Sequence, residues 1–313
     1  MEDVTVENTA TEKSIACLGT GVMGSAMAER LLSQGYAVTV SNRTAGKARV
    51  ASGDRSATVA PTPAAAVAGQ RTVLLALSDD EAEESVLFGP GGAAEAMKPG
   101  TYVIDTSTVS PPYARSSGRR LRERGVHRVE ACLIGNAEHA RTGQVRILAA
   151  GEPEDVQQVQ EVLGLLSKSL LRLGGTGEAA AVKLAFNSLL GAQLVAVAEA
   201  VHYAERVGVD PATMLTAIAE SGYSSPALSF RCRLMRDGAY DPPAFRTALM
   251  AKDLRMMAEE ARDAGVRAPL LDVAASRFAD MGREGRGELD AAAVLEQQRG
   301  DGTLVPYVPR EPS

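Results

Sequence analysis

The chain has 313 residues, 45% of them hydrophobic and 23% charged, with a formal net charge of −6 at pH 7. That length accommodates two domains of ordinary globular composition, and the negative balance gives a nucleic-acid partner no electrostatic support. No uninterrupted apolar run has the length of a membrane span, and the isolated His127, His139 and His202, with Cys17, Cys132 and Cys232, supply no metal-ligand spacing.

The first residues, MEDVTVENTATEK, are acidic and polar, without the basic and apolar regions of a targeting peptide. They are expected to form a disordered tail over 1–13. The three cysteines show no paired spacing, so reduced thiols and a cytoplasmic location are the default.

Ile15-Ala16-Cys17-Leu18 is a short apolar strand that stops at Gly19-Thr20-Gly21-Val22-Met23-Gly24, a G-x-G-x-x-G. A helical pattern follows, with Met23, Met27 and Leu31 at i, i+4 spacing, until Gly35; residues 36–40 then read as a second strand. Strand, glycine loop, helix and second strand within about thirty residues form the dinucleotide-binding context. Gly19 serves the tight turn, Gly21 the approach of a pyrophosphate and Gly24 the packing of helix on strand, while the N–H groups of the helix start face the phosphates. An NAD site places Asp or Glu at the end of the second strand. Here that position reads Ser41-Asn42-Arg43-Thr44, with no carboxylate and with an arginine whose fork of donors suits a phosphate. The cofactor expected is therefore NADPH.

Further on, residues 44–51 read as a helix, 57–59 as a weak strand, 61–68 as a short helix and 72–77 as a buried strand. Ser78-Asp79-Asp80 opens a helix with acids in its first turn. A strand over 101–105 leads to Ser110-Pro111-Pro112, a helix start with a serine cap and a first-turn proline. Strands follow over 127–130, 145–149 and 169–173, with an amphipathic helix over 153–166. The alternation predicts a doubly wound, mainly parallel sheet.

After Gly174-Gly175-Thr176-Gly177 the grammar changes. Residues 178–207 contain no proline and are rich in Ala, Leu and Val, which predicts one long helix, apolar on most faces and therefore buried. Only helical patterns follow, over 211–220, 225–236, 246–264, 269–283 and 290–298. The domains expected are an α/β Rossmann domain over 14–174, an interdomain helix over 175–208, an all-α domain over 209–299 and an extended tail over 300–313. Such a helix is about 45 Å long, longer than one small helical domain covers, so a homodimer through the C-terminal helices is expected.

Lys183 and Asn187 lie at i, i+4 on one face of that helix. A lysine among apolar residues that is taken partly out of water passes a proton nearer neutral pH, and Asn187 can hold a substrate oxygen beside it. Spacing alone also fits a lysine that snorkels at the helix edge.

With these motifs the chain resembles the β-hydroxyacid dehydrogenases, the group containing 3-hydroxyisobutyrate dehydrogenase and the glyoxylate/succinic-semialdehyde reductases, related to 6-phosphogluconate dehydrogenase. The resemblance covers about residues 14–298. It rests on GTGVMG at 19–24 with Asn42-Arg43-Thr44, and on Ile104-Asp105-Thr106-Ser107-Thr108-Val109-Ser110-Pro111, similar to D-x-S-T-x-S-P. It rests also on Gly177-x5-Lys183-x3-Asn187 and on Phe245-x3-Leu249-x2-Lys252-Asp253-Leu254. It implies that Lys183 is the general acid/base and that Asn187 orients substrate and lysine. It places Thr108 at the nicotinamide ribose, Leu77 and Ser78 at the strand end lining the cofactor, and Lys252 over the nicotinamide side; spacing alone would make Lys252–Asp253 a surface pair.

One departure stands out. The family's D-A-P-V-S-G-G, whose Ser-Gly-Gly clasps a carboxylate, reads Glu130-Ala131-Cys132-Leu133-Ile134-Gly135-Asn136 here. The downstream frame Ala140-x2-Gly143-x-Val145 is kept, so Ile134, Gly135 and Asn136 are the substrate candidates. A bulkier or less charged carbonyl, or an imine, then competes with a small hydroxy acid. The reading is an NADPH-dependent carbonyl reductase acting on a small molecule. An imine reductase of the same fold is the first alternative, and a non-catalytic cofactor-binding scaffold the second.

Overall fold

The computed structural model describes residues 13–44 and 49–300. The tails expected over 1–13 and 300–313 lie, but for their inner ends, outside the described residues. The chain divides into two compact units, one ending at Lys183 and one beginning at Leu184.

The first unit runs β1 (Ser14–Leu18), α1 (Val22–Ser33), β2 (Ala37–Ser41), β3 (Ala51–Ser52), β4 (Arg55–Ser56), β5 (Thr58–Val59), α2 (Pro63–Val67), β6 (Thr72–Leu75), α3 (Asp80–Phe88), α4 (Ala93–Ala96), β7 (Tyr102–Asp105), α5 (Pro111–Arg122), β8 (His127–Ile134), α6 (Ala137–Arg141), β9 (Val145–Ala150), α7 (Pro153–Gln158), α8 (Gln160–Leu166) and β10 (Ser167–Arg172). Eight strands form one sheet in the order β10-β9-β8-β7-β6-β1-β2-β5, and every neighbouring pair is parallel except β8–β9. Successive β1 residues feed opposite faces: Ile15 and Cys17 pack with Met27, Leu31 and Ile147, whereas Ala16 and Leu18 pack with Val67, Leu75 and Leu87. Both faces being covered explains the near-continuous apolar strands. The chain order reverses beside β1, which lies between β2 and β6, and ligands of open α/β sheets bind outside the strand ends at such a point.

The cap read from the sequence at Ser110 forms, and the helix start read at 78–80 has Asp79 as its cap. Asp79 accepts from the Ala82 N–H (2.8 Å), and Ser110 from the Tyr113 N–H (3.2 Å), ahead of first-turn Pro111. Three expectations fail. Of the helix expected over 44–51, residues 45–48 lie outside the described residues, Arg49 and Val50 are not helical, and β3 turns back on β4 through Gly53 at φ +58°. The helix expected over 153–166 breaks at Val159 (φ −102°, ψ 7°). The break turns Val156, Val159, Val162, Leu163 and Leu166 into one core. Finally, β8 continues to Ile134, four residues past the strand end expected at 130.

α9 (Glu178–Arg206) straddles the two units. The second unit adds α10 (Pro211–Glu220), α11 (Pro226–Asp237), α12 (Thr247–Asp263), α13 (Pro269–Arg283), a 3-10 turn (Ala291–Ala293) and α14 (Val294–Arg299). Leu194, Ala198 and Val201 of α9 share its core with Cys232, Leu254, Phe278 and Leu295. Asp290, fully buried, accepts from Arg231 and from the N–H groups of Ala244, Phe245 and Ala292, which closes the end of this unit. Contrary to expectation, α9 is not buried on most faces, because Phe186, Leu189 and Tyr203 are exposed. Its 29 residues, with a mean hydropathy of 1.5 over the most apolar 18, are also long and apolar enough to cross a membrane, a property hidden because Asn187 and Gln193 interrupt the apolar run. Of those 18 residues 44% are buried inside the protein.

One buried charge cluster sits within the first unit. Arg128 of β8 donates to Glu83, to Asp105 and to the Ser117 hydroxyl, with Glu130 two residues along the same strand. One guanidinium cannot neutralise three buried carboxylates. Burial pushes the Glu83 carboxyl up to about 8 against the pull of Arg128. The folded chain therefore keeps a proton on Glu83 that the unfolded chain releases above its ordinary carboxylate range. That contribution to stability is full at acid pH and is lost as pH rises through about 8. Glu83→Gln keeps an acceptor for Arg128 and removes the titration. Thermal unfolding between pH 6 and pH 9 is expected to show a falling Tm in the parent and a flatter profile in the variant; parallel profiles would refute the assignment.

Candidate active site

The loop after β1 is shaped by close backbone contacts. Gly19 has φ +95°, and a Cβ there would lie 2.3 Å from the Ala76 carbonyl oxygen; a Cβ on Gly24 would lie 2.1 Å from the Gly19 carbonyl oxygen. Helix α1 thus sits on the β1 turn, and that turn on the β6 end, at distances only glycine permits. The Gly19 N–H donates to the Ser41 carbonyl (3.0 Å), which ties the loop to the end of β2. Gly21 differs: a Cβ there would meet nothing within 4 Å. It is the N-cap of α1, no side chain caps this helix, and its first turn contains no acid. Val22 is exposed and Met23 half-buried. An open approach to an uncapped, acid-free helix start fits a dinucleotide pyrophosphate. At the β2 end, the Asn42 amide donates to the Thr44 carbonyl (3.1 Å) and Arg43 is exposed, without an ion pair among the described residues.

The ends of β6 and β7 are joined beside this loop. The Leu77 N–H donates to the Ser107 hydroxyl (3.0 Å), and the Ser107 N–H donates to the Asp105 carboxylate (2.9 Å). Asp80 accepts from the Ser110 N–H (2.8 Å) and hydroxyl (2.6 Å). Leu77, Ser78 and Thr108 therefore stand on two mutually fixed turns, with Ser107 as the connecting residue. Its role was not read from the sequence, where it passed as a neighbour of Thr108.

Asp105 and Glu130 form the last parallel pair of β7 and β8. Beyond it β8 runs on against β9, up to the pair Ile134–Arg146. Ile134 is thus a strand end rather than loop, Gly135 makes the turn at φ +150°, and Asn136 caps α6. The Asn136 amide oxygen accepts from the His139 N–H (3.0 Å), and His139 Nδ1 accepts from the Asn136 N–H (3.2 Å). This reciprocal cap commits the Asn136 oxygen to the helix.

The start of α9 lies on the same unit. Ala179 is buried against Cys132, Leu148 and Ala150, with Val182 and Ile134 packed around them. Lys183 is half-buried and counteracts, at the Cys132 thiol, the burial that pushes that thiol far up. The Cys132 thiol points at the Ser107 carbonyl (3.8 Å). Lys183 therefore belongs to the neighbourhood of the Ser107 turn. In the second unit Asn187 is buried, and its amide nitrogen donates to Asp253. The carboxylate fixes which way the amide points, with its nitrogen toward Asp253. Lys252 pairs with Asp253 at 2.9 Å, a largely buried pair rather than a surface one. Asp253 was part of a motif in the sequence but had no role assigned there.

The three glycines separate fold from ligand. Gly24→Ala is expected to lower the Tm by about 4 °C or more, because its Cβ overlaps a backbone carbonyl. Gly21→Ala is expected to keep the parent Tm and to weaken nicotinamide dinucleotide binding at least about tenfold, because the new methyl occupies the approach of the pyrophosphate. Scanning calorimetry and fluorescence titration check both; unchanged binding in Gly21→Ala would remove this loop from the site.

Comparison with known proteins places both units in one family. Residues 14–175 match the model of the NAD binding domain of 6-phosphogluconate dehydrogenase, and residues 177–297 match that described as NAD-binding of NADP-dependent 3-hydroxyisobutyrate dehydrogenase. The chain is similar to L-threonate dehydrogenase of Cupriavidus necator, at 31% identity over 91% of this chain and 95% of the relative. It is similar to glyoxylate/succinic semialdehyde reductase 1 of Arabidopsis thaliana, at 30% identity over 90% and 97%. Its structure is similar to that of Mycobacterium tuberculosis 3-hydroxyisobutyrate dehydrogenase with L-serine, at TM-score 0.80 and 25% identity over 92% of this chain and 99% of that one. A Rossmann unit with a nicotinamide-dinucleotide loop, followed by a helical unit, thus identifies the chain as an NAD(P)-dependent oxidoreductase of the β-hydroxyacid dehydrogenase family.

Proposed function

We propose that the chain is an NADPH-dependent reductase of a carbonyl group, an aldehyde or keto acid, that oxidises the hydroxy acid in reverse, with Lys183 as general acid/base. What supports this reading is the half-buried Lys183 on the first turns of α9, where Ala179 packs on Cys132, whose thiol points at the Ser107 carbonyl. Bound NADPH supplies the hydride. Gly19, Gly21, Val22, Met23 and Gly24 hold its pyrophosphate, Asn42, Arg43 and Thr44 its ribose phosphate, and Leu77, Ser78, Thr108 and Lys252 its nicotinamide side. As negative charge grows on the carbonyl oxygen, the Lys183 ammonium stabilises it and donates a proton. Asn187, one turn further along α9, orients lysine and substrate through its amide oxygen. Ile134, Gly135 and Asn136 line the substrate end. Of the other readings, imine reduction has against it the lysine retained at 183, and a scaffold has no use for the Lys183–Asn187 pair.

The exposed Phe186, Leu189 and Tyr203 of α9 support a homodimer through the helical unit. Light scattering at micromolar concentration is expected to give twice the 32.7 kDa chain mass, and a monomer would exclude it. Three buried, unpaired cysteines agree with a reducing, cytoplasmic setting.

Steady-state kinetics with NADPH and NADH against glyoxylate, succinic semialdehyde, threonate in reverse and cyclic imines tests the reading. Lys183→Ala is expected to lower kcat at least about 10²-fold with little change in NADPH affinity. Arg43→Ala is expected to weaken NADPH and leave NADH nearly alone. Parent-like kcat in the first variant would remove the lysine from the mechanism; turnover of imines alone would move the substrate class.

A further inference from the structure

We propose that Glu130 is a positioning residue: from β8 it anchors the first turn of α9 to the sheet and thereby sets where Lys183 stands relative to the Ser107–Thr108 turn. The inference rests on the proposed role of Lys183. Glu130 is 2% exposed. One carboxylate oxygen accepts from the Gly177 N–H and the other from the Ala180 N–H (3.1 Å). These N–H groups belong to the start of α9, where a helix has no internal partners for them and where negative charge opposes the dipole. An ordinary cap is local, whereas this one comes from 47 and 50 residues upstream and so fixes tertiary position. The helix start has no cap of its own from Gly177, which lacks a side chain and sits at φ +98°. Glu178 turns back instead to the N–H groups of Gly174 (3.0 Å) and Gly175 (3.1 Å), which orders the preceding loop.

Geometry links the anchor to the lysine. Lys183 follows Ala180 by three residues, less than one turn, so a tilt of that turn carries the ammonium with it. Glu130 is also the cross-strand partner of Asp105, whose carboxylate holds the Ser107 N–H. Adjacent carboxylates on adjacent strands thus hold the cofactor-side turn and the lysine-bearing helix to one reference. Apolar contacts keep α9 in place independently, because Ala179 packs on Cys132 and Leu148, and Ala180 on Val109 and Ala114. Removing Glu130 is therefore expected to loosen the angle of the helix start without detaching it. Both bonds require a carboxylate, since an amide offers a single acceptor oxygen.

Glu130→Gln tests this on the full chain with two readouts. In hydrogen exchange without ligand, the Gly177 and Ala180 amides are expected to exchange about tenfold faster or more, the scale of a lost cap, while β1 and β6 are unchanged. Parent-like protection overturns the anchor. With NADPH and glyoxylate or succinic semialdehyde, single-turnover hydride transfer is expected to fall about tenfold or more. The isotope effect from NADPH deuterated at the transferred position should rise, and NADPH affinity should hold within about twofold. An unchanged transfer rate and isotope effect, at any Tm, overturn the positioning role. If Glu130→Gln does not fold, Glu130→Asp keeps the charge but is a methylene too short for both bonds, and the same readouts decide. Lys183→Ala measured alongside separates the two proposals. If it keeps the parent rate, or if the parent reduces neither aldehyde, the functional reading fails, and the exchange result alone upholds or overturns the anchor.

Discussion

Arg128 is the interaction on which the rest of the Rossmann unit hangs. Its guanidinium is buried and always charged, and its planar fork reaches Glu83 from α3, Asp105 from β7 and the Ser117 hydroxyl from α5. Removing Arg128 would leave buried carboxylates without their cation, commonly at a cost of about 3–5 kcal/mol. The cluster does more than hold elements together. Asp105 keeps a second oxygen for the Ser107 N–H, and Ser107 in turn receives the Leu77 N–H. A charge buried beneath the strand ends thereby fixes the turns that follow β6 and β7.

The glycine contacts act on the other flank of the same strand ends and by a different mechanism. Gly19 and Gly24 exclude side chains, so α1, the β1 turn and the β6 turn meet through backbone alone. Such contacts have no adjustable side chain and hold their spacing rigidly. The Arg128 cluster is made of long polar side chains held by ion pairs and hydrogen bonds. The glycine loop is thus set by sterics, and the turns beside it by electrostatics.

Local signals made much of this readable in the sequence. The strand–glycine–helix unit, the helix start at 78–80, the cap at Ser110, and the helices Pro211–Glu220 and Pro269–Arg283 each depend on residues within one or two turns of one another. What the sequence concealed depends on distant partners. Arg128 lies 45 residues from Glu83 and 23 from Asp105, and no spacing marks them as a cluster. The reach of β8 to Ile134 is decided by pairing with β9, and the orientation of Asn187 by a carboxylate 66 residues away. The exposed stripe of α9 was hidden for a simpler reason: alanine and leucine read as core whichever way they face.

The altered residues 134–136 bear on what the site can recognise. Ile134 offers only an apolar branch, and the Asn136 oxygen is engaged at the start of α6. Neither side chain supplies a hydroxyl donor for a carboxylate. On the reductase reading, polar selection at the reacting centre therefore falls to Lys183 and to the Asn187 oxygen. That oxygen is an acceptor, because Asp253 has drawn the amide nitrogen to itself. An acceptor one turn from an ammonium suits holding that ammonium or a substrate hydroxyl.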